Sequence, residues 1–324
     1  MKVHILDDWF DTLRHLPCYA KLDGHDVTVW NDHVQDTDIL AERLKDAEAV
    51  CLFRERTKIQ AELLDRLPNL KLISQRSVYP HIDVPACTKH GVLLCSDQHA
   101  GSPSSAAAEL TFGLVLAAMR QIPQQMDALK AGDWQIGVGH SLCHKTIGIW
   151  SYGRLGKAVA KYAKAFDMDV QVWGGEQSCA EAVADGYRKA DSREAFFATS
   201  DVVCLLVRLY PATRGMFKAS DLALMKPGAL LVNTSRAPLI EEGALYEALK
   251  AGRPGMAAVD VFEHEPIGPE GHPLLTLPNV IATPHIGYVT SEEYETQFQA
   301  IFDQVAAFAN GQPIHMINAE ALKG

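Results

Sequence analysis

The chain has 324 residues, of which 48% are hydrophobic and 22% charged, and its formal net charge is −10. This length is sufficient for two domains, and the hydrophobic fraction is ordinary for a globular protein with a large core. The acidic balance argues against general binding to nucleic acid or to an anionic membrane. The longest apolar run is about half as long as a membrane helix needs, and the first residues lack the apolar core of a signal peptide. We therefore expect neither secretion nor membrane insertion.

Cysteine and histidine are spread along the whole chain. The seven cysteines form no Cys-x-x-Cys pair, and the thirteen histidines form no cluster with the spacing of zinc ligands. This pattern predicts reduced, mostly buried thiols in a cytoplasmic protein, and it predicts no structural metal.

Strand-like and helix-like segments alternate in the first hundred residues. Short apolar or alternating segments predict five strands, at 3–6, 26–30, 49–53, 70–74 and 92–95. Helical segments lie between them. Such alternation predicts a mostly parallel sheet covered by helices, so we expect residues 1–100 to form a flavodoxin-like domain.

A connecting region follows this first domain. The segment 101–105 contains Gly, Pro and three Ser residues, which predicts a linker and a helix cap. It leads into a very apolar helix at 106–120, of the kind that is buried in a core or at a subunit interface. A loop that carries Trp134 follows at 132–140.

A second alternating series begins near residue 145. Its strands are predicted at 146–150, 170–173, 202–207, 230–233, 257–261 and 280–282. A helix with one apolar face is predicted directly after the first of these strands. We therefore expect residues 101–287 to form a second α/β domain of the Rossmann type, with a parallel sheet.

The last helix carries clear signals at both ends. The segment 290–293 fits a capping box, and Gly311 lies just past the end of the helix. We expect this helix to fold back, so that residues 288–324 complete the first domain. The chain would then cross twice between the domains, which predicts a hinge and a cleft between them.

The first turn of the second domain has a pattern typical of dinucleotide sites. In G-x-G-x-x-G the glycines allow a tight turn, a close approach of pyrophosphate and packing of helix on strand. This chain has Ser151, Gly153 and Gly156 at the three positions, so the first glycine is replaced. We expect pyrophosphate to bind the backbone N–H groups of Arg154 and Leu155 at the start of the helix. The alternative is an ordinary βα turn that contains glycine.

The residues after the next strand bear on the choice of cofactor. NAD-binding folds place an Asp or Glu here for the ribose hydroxyls, whereas this chain has Gly174 and Gly175, followed by Glu176. The glycines leave room for a 2′-phosphate, but Glu176 would repel one. The sequence leaves NAD and NADP open, with a slight preference for NAD. That preference would reverse if Arg208 pointed at the 2′ position.

Three downstream segments complete a family resemblance. They are KPGALLVNTSR at 226–236, AVDVFEHEP at 258–266 and TPHIG at 283–287. With these segments and the glycine-rich turn in this order and spacing, the chain resembles the D-isomer-specific 2-hydroxyacid dehydrogenases over nearly its whole length. The resemblance implies two similar α/β domains with the active site in the cleft.

The resemblance also implies a catalytic set. Arg236 would bind the substrate carboxylate, which matches its planar fork, and would polarise the keto oxygen. His285 would be the general acid and base, and Glu265 would pair with it, orient its ring and keep the protonated form available. Asp260 would hold the nicotinamide carboxamide. Each residue alone is more often structural, but the three catalytic ones follow successive strand ends, where ligands bind in such folds.

A loop after the fourth strand is implied to bind the substrate. The family has a glycine-rich turn there, whereas this chain has SQRSVYPHID at 74–83, with no glycine. The backbone N–H groups of Ser77 and Val78 are still expected to meet the substrate carboxylate. Tyr79 either lines the pocket or packs as a surface ring.

Two further residues are candidates for contact with the substrate. Arg54 follows the third strand and either binds a second anionic group or forms a salt bridge with Glu55 or Glu109. Tyr288 lies beside His285 in the sequence and is a candidate lining residue. The substrate itself is not specified by these residues.

Three functions stay open at this level. The first is NAD(P)-dependent, reversible reduction of a 2-keto acid to a D-2-hydroxy acid. The second is a dinucleotide-sensing binding protein, as in the transcriptional corepressors that resemble this family. The third is a dehydrogenase that uses the same triad on another anion; Glu265 argues against formate, because formate dehydrogenases have Gln there. A homodimer is the family expectation, with helix 106–120 and the Trp134 loop as candidate interface.

Overall fold

The computed structural model describes residues 1–98 and 104–323. Contacts divide the chain into two units, one of Met1–Ser102 with Thr290–Gly324 and the other of Pro103–Val289. Most of the predicted linker 101–105 lies outside the described residues. The cleft expected between the units stays a prediction.

The first unit contains a five-stranded parallel sheet. Its strands are β1 (Lys2–Ile5), β2 (Asp26–Val29), β3 (Ala49–Cys51), β4 (Leu72–Arg76) and β5 (Leu93–Asp97). They lie in the order β2-β1-β3-β4-β5, which is the flavodoxin-like order. Three helices connect them: α1 (Thr37–Leu44), α2 (Ala61–Leu64) and α3 (Val84–Lys89).

The second unit contains a seven-stranded parallel sheet in the order β12-β11-β10-β9-β6-β7-β8. The helices described in it are α4 (Ala106–Met119), α5 (Ile122–Ala131), α6 (Arg154–Ala165), α7 (Glu176–Ala184), α8 (Arg193–Thr199), α9 (Ala219–Leu224) and α10 (Ala244–Lys250). Its strands are β6 (Thr146–Trp150), β7 (Asp169–Trp173), β8 (Arg188–Lys189), β9 (Val202–Leu205), β10 (Leu230–Asn233), β11 (Met256–Val259) and β12 (Val280–Ala282). Two α/β units with parallel sheets confirm the predicted fold class.

The strand order of the second sheet reverses at β6. This strand pairs with β7 on one side and with β9 on the other, so the chain winds outward in one direction and then crosses back. In such sheets, ligands bind at the carboxyl ends of the strands, at the point where the order reverses. The glycine-rich turn directly follows β6 and therefore lies at this point.

The apolar helix α4 belongs mainly to the core of its own unit. Phe112, Val115 and Met119 are buried in one cluster with Ile147 of β6 and Val159 of α6. The burial predicted for this helix therefore comes from packing inside its own unit. Several exposed apolar side chains follow this helix along the chain, on α5 and in the loop after it.

The last helix, α11 (Ser291–Ala309), packs on the sheet of the first unit. The side chain of Thr290 accepts a hydrogen bond from the N–H of Glu293 at 3.2 Å, which caps its first turn. Phe298 lies 5.0 Å from Phe53, ring centre to ring centre, and Ser74 of β4 donates to the carbonyl of Ile301 at 2.8 Å. Aromatic packing and a buried hydrogen bond therefore both tie this helix to the sheet.

Residues 1–98 and 104–323 contain neither a membrane-spanning helix nor a cluster of metal-ligating side chains. No helix there combines the length and the apolar character needed to cross a bilayer. Nor does that part of the chain contain three or more His, Cys, Asp or Glu side chains arranged to hold a metal ion. All cysteines except Cys143 are buried, and burial raises the pKa of Cys51 and Cys204, which keeps them as unreactive thiols.

His81 is a buried titratable group without a hydrogen bond. Its side chain is almost inaccessible, and neither ring nitrogen has a hydrogen-bond partner within the described residues. Burial lowers the pKa of His81 to about 4, although the nearby charge of Asp7 opposes the shift. The ring is therefore neutral at neutral pH.

We predict that His81 makes the protein less stable in mild acid. Its folded-state pKa is below the ordinary value of about 6.5. Below that pH the unfolded chain binds a proton that the folded chain does not, so stability falls from about pH 6.5 towards pH 4. The loss at pH 5 is about 2 kcal/mol. The measurement is the denaturation midpoint at pH 7 and pH 5 for the wild type and for His81→Phe, which should show a smaller loss.

His15 provides the matched control, because its side chain is exposed. His15→Phe should retain the acid sensitivity of the wild type. If His81→Phe loses as much stability between the two pH values as the wild type does, His81 is not the source of the effect.

Candidate active site

The glycine-rich turn keeps its backbone shape without its first glycine. Ser151 has a φ of +83°, in the left-handed region that glycine adopts freely. Its N–H donates to the carbonyl of Trp173 at 2.8 Å, which ties the turn to the end of β7. The replacement therefore adds a side chain but leaves the conformation of the turn in place.

The other two glycines of the turn have different surroundings. A Cβ at Gly156 would lie 2.3 Å from the carbonyl oxygen of Ser151, so only glycine lets the helix pack against the turn. A Cβ at Gly153 would meet nothing within 4 Å. Arg154 and Leu155 open α6, where backbone N–H groups lack partners inside the helix. Open space beside unpartnered N–H groups is what a pyrophosphate needs, so these residues fit a dinucleotide.

The backbone gives a physical reason for the missing acid after β7. Gly174 has a φ of +151°, a conformation that a residue with a side chain rarely adopts. Gly175 then caps α7, and Glu176 stands in its first turn. Ser178 of this helix accepts a hydrogen bond from the N–H of Tyr152, which fastens the junction to the glycine-rich turn. An Asp or Glu at position 174 would therefore be strained.

Arg208 is engaged with its own loop. Its guanidinium donates to the hydroxyl of Tyr210 at 3.2 Å, and its carbonyl accepts from the Thr213 hydroxyl at 2.9 Å. The side chain is exposed. Its predicted contact with the 2′ position of a cofactor stays a prediction.

Glu265 and His285 form a hydrogen-bonded pair. Oε2 of Glu265 bonds Nδ1 of His285, while Oε1 accepts from the N–H of Phe262 at 2.8 Å. The ring of Tyr288 packs edge-on against the imidazole, with the ring centres 5.3 Å apart. His285 itself has a φ of +53°, an uncommon conformation that persists where surrounding contacts hold it. The carboxylate and the tyrosine together fix the orientation of the imidazole.

The charges of the site favour an ionised Glu265. Burial raises the pKa of Glu265, but the hydrogen bond and charge of His285, the N–H of Phe262 and the charge of Arg236 lower it, and the net shift is downward. The Arg236 side chain is exposed, and its Nη1 donates to the carbonyl of Ser235 at 2.7 Å. The structure thus brings Glu265 and His285 into direct contact, whereas the joint action of Arg236 with this pair stays a prediction.

Asp260 organises the turn that carries His285. Its carboxylate is fully buried and accepts from the Thr283 hydroxyl at 2.6 Å and from the N–H groups of Ile286 and Gly287 at 2.8 and 2.9 Å. Burial raises the pKa of Asp260, against the effect of these three hydrogen bonds. Its predicted contact with the nicotinamide carboxamide stays a prediction.

Sequence reasoning missed the role of Asn233. This buried residue ends β10, and its side chain accepts from the N–H of Ser235 at 3.1 Å and donates to the carbonyl of Arg236 at 3.0 Å. It therefore sets the backbone from which Arg236 projects. The available signal was a polar residue at the last position of an otherwise apolar strand.

The predicted substrate-binding residues of the first unit follow β3 and β4. Ser77 has a φ of +79°, and its N–H donates to the carbonyl of Asp97 at 3.0 Å. That bond engages the Ser77 N–H within its own unit, and the side chain of Val78 is half exposed. The predicted contacts of Ser77 and Val78 with the substrate stay predictions. Tyr79 packs partly against the core of its unit. Arg54 follows β3 with a φ of +60°.

A family model matches residues 112–287, slightly more than half of the chain. The model is that of the NAD-binding domain of D-isomer-specific 2-hydroxyacid dehydrogenases. The matched range begins in α4 and ends at the turn that Asp260 holds. It therefore includes the glycine-rich turn and all three predicted catalytic residues.

This chain matches different shares of the length of its curated relatives. The D-3-phosphoglycerate dehydrogenase of Methanocaldococcus jannaschii is 40% identical over 84% of this chain, but the chain spans only 52% of that protein. The glyoxylate reductase of Thermococcus litoralis is 33% identical over 92% of both chains.

Two solved structures are similar to this chain in both sequence and fold. The phosphoglycerate oxidoreductase of Vibrio cholerae o395 is 48% identical, covers 96% of this chain and 99% of its own, and superposes with a TM-score of 0.90. A protein from Ralstonia solanacearum is 46% identical, covers 99% of this chain and 98% of its own, and reaches a TM-score of 0.94. The chain belongs to a family of oxidoreductases that bind a nicotinamide dinucleotide, the D-isomer-specific 2-hydroxyacid dehydrogenases.

Proposed function

We propose that the protein reduces a 2-keto acid to a D-2-hydroxy acid with NAD(P)H, and catalyses the reverse reaction. The observation that carries the proposal is the hydrogen bond between Glu265 and His285, and the exposed Arg236 is the proposed partner of the substrate carboxylate. An exposed guanidinium binds a carboxylate, and an imidazole oriented by a carboxylate serves as a general acid and base. A 2-keto acid presents the two groups that these side chains recognise, a carboxylate and a carbonyl oxygen.

The hydrogen bonds of the pair assign a task to each nitrogen of His285. Nδ1 faces Glu265, so Nε2 is the nitrogen that can donate a proton to the substrate carbonyl oxygen or remove it from the hydroxyl. Glu265 stays ionised, because its pKa is lowered, and its carboxylate holds the Nδ1 side of the ring. When bound, the dinucleotide supplies the hydride for reduction and accepts it for oxidation.

The chain's own residues support NAD slightly over NADP. Glu176 places a carboxylate in the first turn of α7, close to the glycines that replace the usual acid. That carboxylate would repel a 2′-phosphate, and Arg208 is engaged with Tyr210. The preference would be small, because no acid stands at position 174 to bind the ribose hydroxyls.

The substrate class is proposed from the site and from the relatives. The proteins compared above are named for glyoxylate and for phosphoglycerate, which differ by a second anionic group. Arg54 is the residue of this chain proposed to meet such a group. The acidic net charge supports a small-molecule substrate rather than nucleic acid or membrane, and the buried thiols support the cytoplasm as its location.

A homodimer is proposed from an exposed apolar surface of the second unit. The α5 side chains of Met126 and Leu129 and the following side chains of Trp134 and Val138 are 53%, 60%, 78% and 89% exposed. No residue of α5 is buried. Neighbouring exposed apolar side chains mark an interaction surface, and a second copy of this chain is the proposed occupant.

The catalytic proposal predicts distinct effects of His285 and Arg236. His285→Ala should lower kcat for keto-acid reduction by about 10²- to 10⁴-fold, because the proton donor is lost. Arg236→Lys should mainly raise KM for the keto acid, because lysine keeps the charge but lacks the planar fork. The assay follows NADH and NADPH absorbance separately with glyoxylate, hydroxypyruvate, phenylpyruvate and a phosphorylated 2-keto acid.

The same assay separates the competing functions. His15→Ala, at an exposed position of the first unit, should leave both kinetic constants unchanged. Tight dinucleotide binding without turnover of any keto acid would favour the sensing protein or a different anion. Full activity in His285→Ala would contradict the proposed proton donor.

Two glycines of the dinucleotide turn should respond differently to alanine. Gly153→Ala has room for its methyl group and should keep the thermal midpoint, yet it should weaken NADH binding by filling the space proposed for pyrophosphate. Gly156→Ala should lower the midpoint itself, because its methyl group would overlap the Ser151 carbonyl. Calorimetric binding and thermal unfolding measure the two effects. NADH affinity that is unchanged in Gly153→Ala would argue against this pyrophosphate site.

The proposed dimer surface predicts the mass of the protein in solution. The wild type should have the mass of two chains by light scattering, and a Met126→Glu, Leu129→Glu double variant should be a monomer. Val183→Glu is the matched control, because Val183 is 54% exposed on α7 of the same unit and should not change the mass. A monomeric wild type would contradict the proposal.

A further inference from the structure

The carbonyl oxygen of Ser77 accepts hydrogen bonds from three side chains. Gln75 donates through Nε2 at 2.8 Å, Ser96 through Oγ at 2.6 Å and Gln98 through Nε2 at 2.5 Å. A carbonyl oxygen has two lone pairs, so three donors exceed the usual number of partners. Three side chains therefore hold the carbonyl side of this peptide.

The three donors come from the sheet of the first unit. Gln75 of β4 lies opposite Ser96 of β5 in the parallel register, and Gln98 follows the end of β5. The side chains of Gln75 and Ser96 are buried and joined by a hydrogen bond of 2.5 Å. Gln98 completes the group with a bond of 3.0 Å to Ser96. The Ser77 carbonyl thus points inward, onto a connected set of donors.

The opposite edge of the same peptide carries the N–H of Val78. In a trans peptide the C=O and the following N–H point in opposite directions, so an inward carbonyl directs this N–H outward. The N–H of Val78 makes no hydrogen bond to any residue that the structure describes. The N–H of Ser77, in contrast, is bonded to Asp97.

We propose that Gln75, Ser96 and Gln98 are positioning residues that aim the Val78 N–H at the substrate carboxylate. This inference rests on the proposed function and adds how the glycine-free loop performs its part of it. Ser77 has a φ of +79°, which a non-glycine residue keeps only when its surroundings enforce it. The three donors supply that enforcement.

The same bonds strengthen the N–H as a donor. Hydrogen bonds to the oxygen of a peptide polarise it and raise the donor strength of its N–H, an effect that is larger away from water. A carboxylate that meets this N–H forms a charge-assisted hydrogen bond. Loss of one of the three donors should therefore weaken substrate binding without touching the residues that transfer the proton.

The test removes one donor at a time. Ser96→Ala and Gln98→Ala should each raise KM for the 2-keto acid about fivefold, the equivalent of one hydrogen bond, and the double variant should raise it further. The kcat at saturation and the KM for NADH should stay unchanged. Gln98 is exposed, so its variant folds even if the buried Ser96→Ala variant does not.

A matched control lies in the same unit. Gln35→Ala removes an exposed glutamine that bonds the Lys58 carbonyl. This side chain does not contact the Ser77 carbonyl in the contacts described, and its variant should leave KM unchanged. With valine labelled by ¹⁵N, the Val78 amide signal should move in Gln98→Ala and stay in place in Gln35→Ala.

The outcomes separate this inference from the proposed function. Turnover with an unchanged KM in Gln98→Ala and in the double variant would overturn the positioning role alone, as would an unmoved Val78 signal. A wild type that reduces no 2-keto acid would overturn the proposed function and, with it, the carboxylate contact of Val78.

Discussion

A buried carboxylate holds the turn on which the catalytic pair depends. Because Asp260 is buried, its carboxylate needs hydrogen bonds from protein groups. Thr283, Ile286 and Gly287 donate them. These bonds fix the backbone on both sides of His285, whose φ of +53° would otherwise relax. The imidazole is then placed where Glu265 can bond it. The turn that Asp260 holds therefore positions the imidazole whose Nε2 is proposed to transfer the proton.

The same arrangement recurs at other strand ends. Asn233 closes the apolar strand β10 and holds the carbonyl of Arg236, as Gln75 near the end of β4 holds that of Ser77. Parallel strands are buried on both faces, so a polar side chain at their carboxyl end has only the next loop to bond. Each such side chain is fixed by the sheet, and its hydrogen bond holds the backbone of the following loop in one position. The functional groups are carried by loops, but their positions are set by the sheets.

Local sequence patterns predicted most strands of the two sheets and the candidate catalytic residues. Apolar periodicity located all five strands of the first sheet and six of the second, but not β8, whose two residues are exposed, nor α5, which buries no residue. The family segments named Arg236, Glu265 and His285. The engagement of Ser77 by donors from the adjacent strand joins positions about twenty residues apart, and no local pattern encodes such a hydrogen bond.

Two turns show what a glycine motif requires. Ser151 replaces the first glycine of the dinucleotide turn, and Ser77 lies in the loop where the family has a glycine-rich turn. Both have a φ near +80°, so this backbone conformation occurs with a side chain present. Each is held by hydrogen bonds to neighbouring strands, which offset the cost of that conformation. Gly156 differs, because a Cβ there would overlap the Ser151 carbonyl, and no hydrogen bond can create space. A glycine that supplies conformation can therefore be replaced where bonds enforce it, whereas one that supplies space cannot.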